Sequence, residues 1–414
     1  MNRRTFVFLS GALAVVGCED PSSRSARGYS PFPATLTPNP GTLAAGRIAI
    51  LLPLTGPRAD VGQSMLRAAQ LALGATATPL MEARDTGGTA QGAAAAADAA
   101  IARGARLILG PLTSAETAAV APIARTAGVA VLAFTNDASQ SQPGVWALGI
   151  TPVQQVRRLV AAASAQGKNR PAALLPDTDF GRAMAEAFQQ AAASAGLPRP
   201  EIQMHAPGMS GVTSGARALS GYAVRRGPVD AQIKAARALG TAEGRRQAAE
   251  LAKTPIPPPQ FNLLLLADTK DDLAGIAAML PYYDVDRSSV QIIGPTLWAA
   301  ASSGSGELQG AWYAAPDPAA REAFQQEYQT QFNAVPPAVA SIAYDASAIA
   351  RIVAAQGGYS IRALTQPAGF LLSDGWLALQ ADGQVRRGLA VFRIERGGPA
   401  LIEPAPQSPD VAGV

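Results

Sequence analysis

The sequence predicts an α/β protein of two Rossmann-like lobes with parallel, doubly wound sheets around a cleft. An apolar run ending in Leu-Leu-Pro occurs twice, at residues 47–53 and 170–176, and each run is followed by a polar turn and a glycine within a helical pattern. Uninterrupted apolar runs are typical of strands buried on both faces. Strand and helix patterns alternate over most of the chain, which predicts a parallel sheet. At 414 residues the chain is long enough for two lobes.

The first lobe is predicted to begin at Arg47 and to alternate strands with helices. Its predicted helices are 60–74, 89–103 and 114–127, and its predicted strands after residue 53 are 79–84, 105–110, 129–134 and 145–150. In such sheets ligands bind beyond the carboxyl ends of the strands, so we expect the two Leu-Pro loops to face a shared cleft.

The second lobe is predicted to follow a crossover at residues 151–152. Helices are expected at 153–166, 180–195 and 271–281, and strands at 201–205, 261–267 and 290–294. Residues 208–260 carry eight Arg and Lys against three Asp and Glu, and this segment is predicted to be a partly helical insertion. Two further helices, 319–333 and 341–356, are expected before a final pair of strands at 375–380 and 388–395.

These patterns divide the chain into five parts. We predict a lipoprotein signal peptide at 1–17, a flexible tether at 18–46, lobe 1 from 47–150 plus 296–365, lobe 2 from 151–295 plus 366–404, and a tail at 405–414.

The N-terminus has the features of an export signal. Asn2-Arg3-Arg4 is positively charged, and the apolar residues 5–16 are too few to span a membrane comfortably. The segment ends in Val-Val-Gly-Cys18, which resembles a bacterial lipobox with lipid on the cysteine; the alternative is a plain secretory signal with an incidental cysteine. Cys18 is the only cysteine, so it forms no internal disulfide. We expect a periplasmic protein lipid-anchored to the inner or outer bacterial membrane, exported by the general or the twin-arginine route.

Composition and motifs argue against nucleic-acid binding and catalysis. The net charge is only +4 and there is no dense basic stripe or nucleic-acid motif. No Gly-x-Ser-x-Gly elbow or phosphate loop occurs. With one cysteine and one histidine, His205, a His/Cys metal site is excluded, and His205 is expected at the surface. We therefore predict a non-enzymatic protein without cofactor or metal.

Polar residues follow two neighbouring predicted strands of the first lobe. Thr113 and Ser114 open a helix, whose free N–H groups and positive end can hold a carboxylate; the alternative is that Thr113 and Glu116 form a simple capping box. Thr135 and Asp137 can accept bonds from an ammonium group, or they form a polar turn. Together these surfaces would suit an α-amino acid, with Thr55 in the turn after the first strand.

The second lobe offers further candidate contacts. Asp179, Phe180 and Asp268 follow predicted strands there and are expected to close over a ligand, although each position is equally typical of a helix start.

Residues 48–62, Asp85, residues 108–114 and Ala343-Tyr-Asp-Ala346 resemble the leucine/isoleucine/valine-binding receptors over most of residues 47–395. The resemblance implies a type I periplasmic binding fold. It also implies that Ser114 binds an amino-acid carboxylate, that Thr135 lies in the segment receiving the ammonium group, and that residues 179–181 form the turn of the second lobe. The chain departs from transport receptors at Phe134, which is expected to fill the pocket, and in its basic insertion.

Those departures resemble the penicillin-binding-protein activators, lipoproteins that use this fold to stimulate a peptidoglycan synthase. Better-known activators carry a helical-repeat domain before the lobe pair, whereas here a tether precedes it. Two hypotheses follow. The chain is a receptor delivering an amino-acid-like ligand to the membrane subunits of an ABC importer, or it is an adaptor that docks a peptidoglycan synthase.

Overall fold

The computed structural model of this protein describes residues 46–75, 77–301 and 306–408. The signal peptide, Cys18, most of the tether and residues 409–414 lie outside the described residues, so the expectations for them stay predictions. The described strands are β1 (Arg47–Leu52), β2 (Met81–Asp85), β3 (Ala105–Leu109), β4 (Ala130–Ala133), β5 (Val145–Ala147), β6 (Pro171–Pro176), β7 (Glu201–His205), β8 (Leu263–Leu266), β9 (Gln291–Gly294), β10 (Trp312–Ala315), β11 (Phe370–Leu372), β12 (Gly375–Leu379), β13 (Val385–Arg387), β14 (Ala390–Glu395) and β15 (Gly398–Glu403).

The α-helices alternate with these strands through most of the chain. They are α1 (Ala59–Leu73), α2 (Ala90–Ala102), α3 (Ser114–Thr126), α4 (Pro152–Ala165), α5 (Asp179–Ser194), α6 (Met209–Leu219), α7 (Tyr222–Ala238), α8 (Ala242–Ala252), α9 (Lys270–Tyr282), α10 (Trp298–Ala301), α11 (Pro318–Phe332), α12 (Ala340–Ala355) and α13 (Ile361–Leu364).

The first sheet has the order β2-β1-β3-β4-β5 and all its pairs are parallel. Successive residues of β1 alternate between the two faces: Ile48, Ile50 and Leu52 face one core, and Ala49 and Leu51 face the other. Helices α1 and α12 contribute to the first core, and α2 and α3 to the second. This burial on both faces explains why β1 reads as an unbroken apolar run.

The second sheet has the order β15-β14-β10-β9-β8-β6-β7. The pairs from β7 to β10 are parallel, and β14 and β15 are added antiparallel at one edge. Leu264 and Leu266 face a core formed with α6 and α9, whereas Leu263 and Leu265 face a core formed with α4 and α5. The predicted α/β fold of two doubly wound lobes is therefore confirmed.

The later segments divide between the lobes differently from the predicted boundaries. Strand β10 belongs to the second sheet, although residues 296–365 were assigned to the first lobe. Strands β11 to β13 form a small antiparallel sheet whose apolar residues pack in the core of the first lobe, although residues 366–404 were assigned to the second. The chain thus crosses between lobes after β5, after β10 and after β13.

The predicted pairing of residues 375–380 with 388–395 is wrong. Strand β12 pairs with the short strand β13, whereas β14 pairs with β10 and β15 in the other sheet. Alternating apolar residues on both sides of a turn indicated a hairpin, and such a pattern does not reveal that the chain changes sheets after three residues.

The basic insertion is helical, which agrees with the prediction of a partly helical segment. The insertion begins later in the chain than the predicted residue 208. Helix α6 packs its apolar residues Val212, Ala216 and Leu219 into the core of the second lobe, so it is a regular part of that lobe. Helices α7 and α8 form the excursion and share a small cluster of their own. Arg225 attaches this helix pair to the lobe, because its guanidinium donates to the carbonyl oxygens of Ser220 at 2.7 Å, Pro257 at 2.8 Å and Tyr283 at 2.6 Å.

Side chains near the crossings join the segments to one another. Gln154 Nε2 donates to the carbonyl oxygen of Val385 at 2.8 Å, and Arg158 Nε donates to that of Leu389 at 2.8 Å. Both donors lie in α4, directly after the first crossing, and both acceptors lie around the third. The two connections are therefore held together by buried hydrogen bonds.

Candidate functional site

The loop after β1 is held in place by the carboxylate of Asp85. Its Oδ1 accepts from the backbone N–H groups of Leu54 at 2.8 Å, Thr55 at 3.2 Å and Gly87 at 2.8 Å, and its Oδ2 accepts from Thr55 Oγ1 at 2.6 Å. These bonds, led by that of the Thr55 hydroxyl, hold the pKa of Asp85 below its ordinary value. The hydroxyl of Thr55 is thus committed to positioning the loop.

Thr113 caps helix α3. Its Oγ1 accepts from the backbone N–H of Glu116, and the Glu116 carboxylate accepts in return from the N–H of Thr113 at 2.9 Å. Glu116 is fully buried, and its other oxygen accepts from Thr86 Oγ1 at 2.5 Å. Thr113 is therefore a helix cap in a buried network that connects the loops after β2 and β3.

Ser114 and Asp137 join the loops after β3 and β4. Ser114 Oγ donates to Asp137 Oδ2, and Asp137 also accepts from Ser139 N at 3.0 Å and Gln140 Nε2 at 3.2 Å. Burial raises the pKa of Asp137, but the hydrogen bonds from Ser114, Ser139 and Gln140 outweigh it, so the net shift is downward. An ionised carboxylate therefore lies beside the N-terminus of α3, both half-buried at the carboxyl edge of the sheet.

Phe134 and Thr135 lie beneath this surface. Phe134 is 3% exposed and belongs to the core of the first lobe, and Thr135 is 5% exposed. Thr135 Oγ1 accepts from the N–H of Asp137 at 3.1 Å, and its carbonyl oxygen accepts from the N–H of Gly149 at 3.0 Å. Both Thr135 groups therefore support the loop that carries Asp137 and the start of the crossing segment.

The second-lobe candidates make their hydrogen bonds within that lobe. Asp179 is exposed in the first turn of α5, and Arg182 Nη2 donates to its Oδ1 at 2.7 Å. Phe180 is partly buried and packs against the core between α4, α5 and the sheet. The described hydrogen bonds of these residues do not connect them to Ser114 and Asp137.

Asp268 is buried against His205, so the expectation that His205 is a surface residue is wrong. Their side chains are 2% and 1% exposed, and Nε2 of His205 lies 3.2 Å from Oδ2 of Asp268. Burial raises the pKa of Asp268, with His205 opposing the shift. Both residues lie at carboxyl ends of strands, β7 and β8, on either side of β6. The strand order that brings them together was not visible in the sequence.

A buried cluster of charged side chains beside the crossings was also missed. Asp345 in α12 accepts from Ser373 N at 2.8 Å and from Ser373 Oγ at 2.7 Å. Asp374 accepts from Arg321 at 2.7 Å, and Arg387 Nη2 donates to the carbonyl oxygen of Leu148 at 2.7 Å. Asp345 lies in the predicted helix 341–356, but its partner Ser373 is 28 residues away and carried no local signal.

Two searches of the described part of the chain bear on other kinds of site. Residues 46–75, 77–301 and 306–408 contain no group of three or more His, Cys, Asp or Glu side chains arranged to hold a metal ion. None of the helices described there is long and apolar enough to cross a membrane.

Comparison with known proteins places this fold among binding proteins. The family model described as "Periplasmic binding protein" matches residues 46–399, and no curated protein matches the chain. A putative branched-chain amino acid ABC transporter protein from Rhodospirillum rubrum is similar with a TM-score of 0.64 at 20% identity, covering 86% of this chain and 100% of that one.

Two other solved structures share the architecture. Full-length LpoA from Haemophilus influenzae is similar with a TM-score of 0.61 at 16% identity, covering 86% of this chain and 59% of LpoA. The substrate-binding protein LivJ from Streptococcus pneumoniae, in complex with isoleucine, has a TM-score of 0.51 at 16% identity and covers 87% of this chain and 100% of LivJ. At these sequence identities, the structural similarity shows that the three proteins share the fold of this chain.

Proposed function

Since the chain belongs to the periplasmic binding protein family, we propose that it binds an amino acid or similar small ligand between its lobes as the substrate-binding component of an ABC-type importer. In this role the protein catalyses no reaction and uses no cofactor. Membership of the family implies a periplasmic location.

The pairing of Ser114 with Asp137 is the observation that carries this proposal. The N-terminus of α3 supplies positive dipole charge, and the adjacent Asp137 supplies negative charge. The Ser114 hydroxyl, which donates to Asp137 in this structure, would turn to donate to the ligand carboxylate when an ammonium group takes its place at Asp137. An α-amino acid carries a carboxylate and an ammonium group one carbon apart. The two charges of the site are therefore complementary to those of the ligand, with the carboxylate directed to Ser114 and the ammonium to Asp137.

Lobe closure would complete the site. Asp179 is fully exposed in the second lobe and its partner Arg182 lies on the same helix, so this carboxylate is free to reorient towards a ligand at low cost. A ligand that contacts both lobes favours the closed state by its differential affinity, which gives an importer a signal that the receptor is loaded.

The solved structures suggest which ligands to test first. Two of the similar structures are described as branched-chain amino acid transport proteins, one of them with isoleucine bound. We therefore propose isoleucine, leucine and valine as first candidates.

Titration calorimetry with these three amino acids tests the proposal. In Ser114→Ala we expect binding weaker by about 1–3 kcal/mol, because a charged acceptor loses a donor. Thr126→Ala is the matched control, since Thr126 bonds a backbone carbonyl at the other end of the same helix. Equal affinities in the two variants would remove Ser114 from the site.

A second candidate function is that of a penicillin-binding-protein activator, an adaptor for a peptidoglycan synthase. The exposed apolar residues of the α7–α8 helix pair favour it: Val224 is 82% exposed and Leu239 is 63% exposed. They lie at opposite ends of α7, and we propose them as the apolar contacts of a docking element on this excursion. The burial of Asp268 and Phe134 also leaves fewer side chains for ligand contact than the receptor hypothesis expects.

Co-purification from solubilised membranes tests the adaptor role. We expect a peptidoglycan synthase to be retained by the wild-type chain and lost with Val224→Asp plus Leu239→Asp. Gln232→Asp, an exposed position on the same helix, is the control for added charge. Retention that is unaffected by the double substitution argues against docking through α7 and α8.

We further propose that Cys18 carries the lipid anchor. Cys18→Ala is expected to move the protein from the membrane fraction to the soluble periplasmic fraction, measured by immunoblotting after osmotic shock. Loss of the acyl chains removes about 0.8 kcal/mol for every buried methylene group, so the change in partition is large. Continued sedimentation with membranes would contradict lipidation at this residue.

A further inference from the structure

A cavity of about 270 Å³ lies where the two lobes meet. Its walls come from the first turns of α4 and the second half of α5 in the second lobe, and from β13 and residues 138–147 in the first. None of the residues proposed to bind the amino acid lines it. The cavity is therefore a different candidate site, beside the first and third crossings.

The charge of the cavity is positive. Arg157 of the second lobe and Arg386 of the first both line it, and its other polar lining residues carry amides or hydroxyls. No carboxylate is among the lining residues. The acidic residues that neighbour them in sequence, Asp137, Glu186 and Asp382, lie outside the lining. The two guanidinium groups thus share a concave polar site without a carboxylate in its wall.

Arg157 differs sharply from the arginine beside it. Arg158 donates to the carbonyl oxygen of Leu389 and pairs with Glu403 at 2.9 Å. Arg157 Nε is buried without a hydrogen-bond partner. Burial, followed by the positive charge of Arg386, lowers the pKa of Arg157. Arg157 thus has no carboxylate partner among the described residues, unlike Arg158, and an oxyanion in the cavity would supply the missing negative charge.

We propose that this cavity is a second binding site, for a small ligand that carries a phosphate or carboxylate group. Guanidinium groups bind such oxyanions with two parallel hydrogen bonds, and the surrounding amides and hydroxyls suit the remaining polar atoms of the ligand. The volume lies just below the usual range for ligand pockets, which restricts the ligand to a small molecule. Its binding would neutralise the repulsion between Arg157 and Arg386 and so link the two lobes, which makes the site a means of regulating their opening.

Thermal unfolding of the full chain with inorganic phosphate or malonate tests this proposal, with sodium chloride added to keep ionic strength constant. We expect a saturable rise in Tm with at least one of the two anions; the anion that acts identifies phosphate or carboxylate as the preferred group. Arg157→Gln and Arg386→Gln should each abolish the saturable rise. Arg237→Gln makes the same charge change at an exposed position of α7 and should keep it.

The proposal is overturned if neither anion raises Tm saturably, or if Arg157→Gln responds as Arg237→Gln does. Arg157→Lys provides a folded alternative should Arg157→Gln unfold, because lysine keeps the positive charge but lacks the planar guanidinium group. We expect this variant to bind the anion more weakly by about fivefold or more. Ser114→Ala should leave the anion response unchanged. The proposal of an anion site and the proposal of an amino-acid site can therefore be disproved independently of each other.

Discussion

Asp345 shows how a single buried carboxyl can make stability depend on pH. It is almost fully buried in α12, and burial, together with the nearby carboxylate of Asp374, raises its pKa to about 7. The hydrogen bonds from Ser373 and the positive charge of Arg387 oppose this shift. Arg321, the remaining charged neighbour of the cluster, pairs with Asp374. In the folded state the carboxyl therefore holds its proton more tightly than in the unfolded chain.

The sign of the pH dependence follows from this shift. Between the ordinary value of 3.8 and about 7 the folded state binds more protons than the unfolded state, so the free energy of unfolding falls as the pH rises. We expect Asp345→Asn to reduce the loss of stability between pH 5 and pH 8, measured by urea denaturation. Asp98→Asn, on the exposed face of α2, is the control and should keep the wild-type loss. The same loss in both variants would contradict the assignment to Asp345.

Some contacts of the candidate site could be predicted from the sequence and others could not, and the difference has a physical reason. Thr113 with Glu116 was recognisable because a capping box is a local pattern, and the structure contains it. The bond from Ser114 to Asp137 joins two loops 23 residues apart, and the contact of His205 with Asp268 spans 63 residues. Such pairs depend on strand order, which local patterns do not contain.

At the scale of the elements, the repeated Leu-Leu-Pro unit has a common packing cause. A Cβ at Gly62 would lie 2.1 Å from the carbonyl oxygen of Pro53, and one at Gly181 would lie 1.9 Å from that of Pro176. In both lobes the helix packs directly on the end of the strand before it. Only glycine permits that approach, which explains why the same residue follows both strands.

We expect Gly62→Ala to lower the free energy of unfolding by about 1–3 kcal/mol, because the added methyl group meets backbone that cannot move without shifting β1. The measurement is urea denaturation. Gln63→Ala, exposed on the same helix, is the control and should change stability by less than about 0.5 kcal/mol. A neutral effect of Gly62→Ala would show that α1 moves away from the strand without cost.

The helices and strands of the two parallel sheets were predictable because their periodicity is strong and local. Predicted helix 114–127 corresponds to Ser114–Thr126, and predicted strand 201–205 has the same bounds in the structure. The strands β10, β11, β13 and β15 were missed. Strand β10 pairs with β9 and with the distant β14, so its position reflects the sheet it joins more than its own residues. Strands β11 and β15 pair with their neighbours β12 and β14, and the sequence analysis did not recognise these local pairings.

At the scale of the whole molecule, the two lobes are connected by three chain crossings within residues 46–75, 77–301 and 306–408. Buried hydrogen bonds tie the first crossing to the third, among them Arg387 to Leu148 and Gln154 to Val385. Because these bonds hold the crossings together, we expect the lobes to move relative to each other by a hinge at the crossings, which is the motion that the proposed receptor needs. The cavity with Arg157 and Arg386 lies at the same place, so an anion bound there would act directly on the hinge.

A thermal-shift screen of the full chain against the common L-amino acids tests the central claim most directly. A ligand at about a hundred times its Kd should add roughly 2.7 kcal/mol to the free energy of unfolding, which is easily seen as a rise in Tm. We predict a saturable rise with at least one amino acid, and a smaller rise at the same concentration in Ser114→Ala. No rise with any amino acid in the wild-type chain would contradict the receptor function.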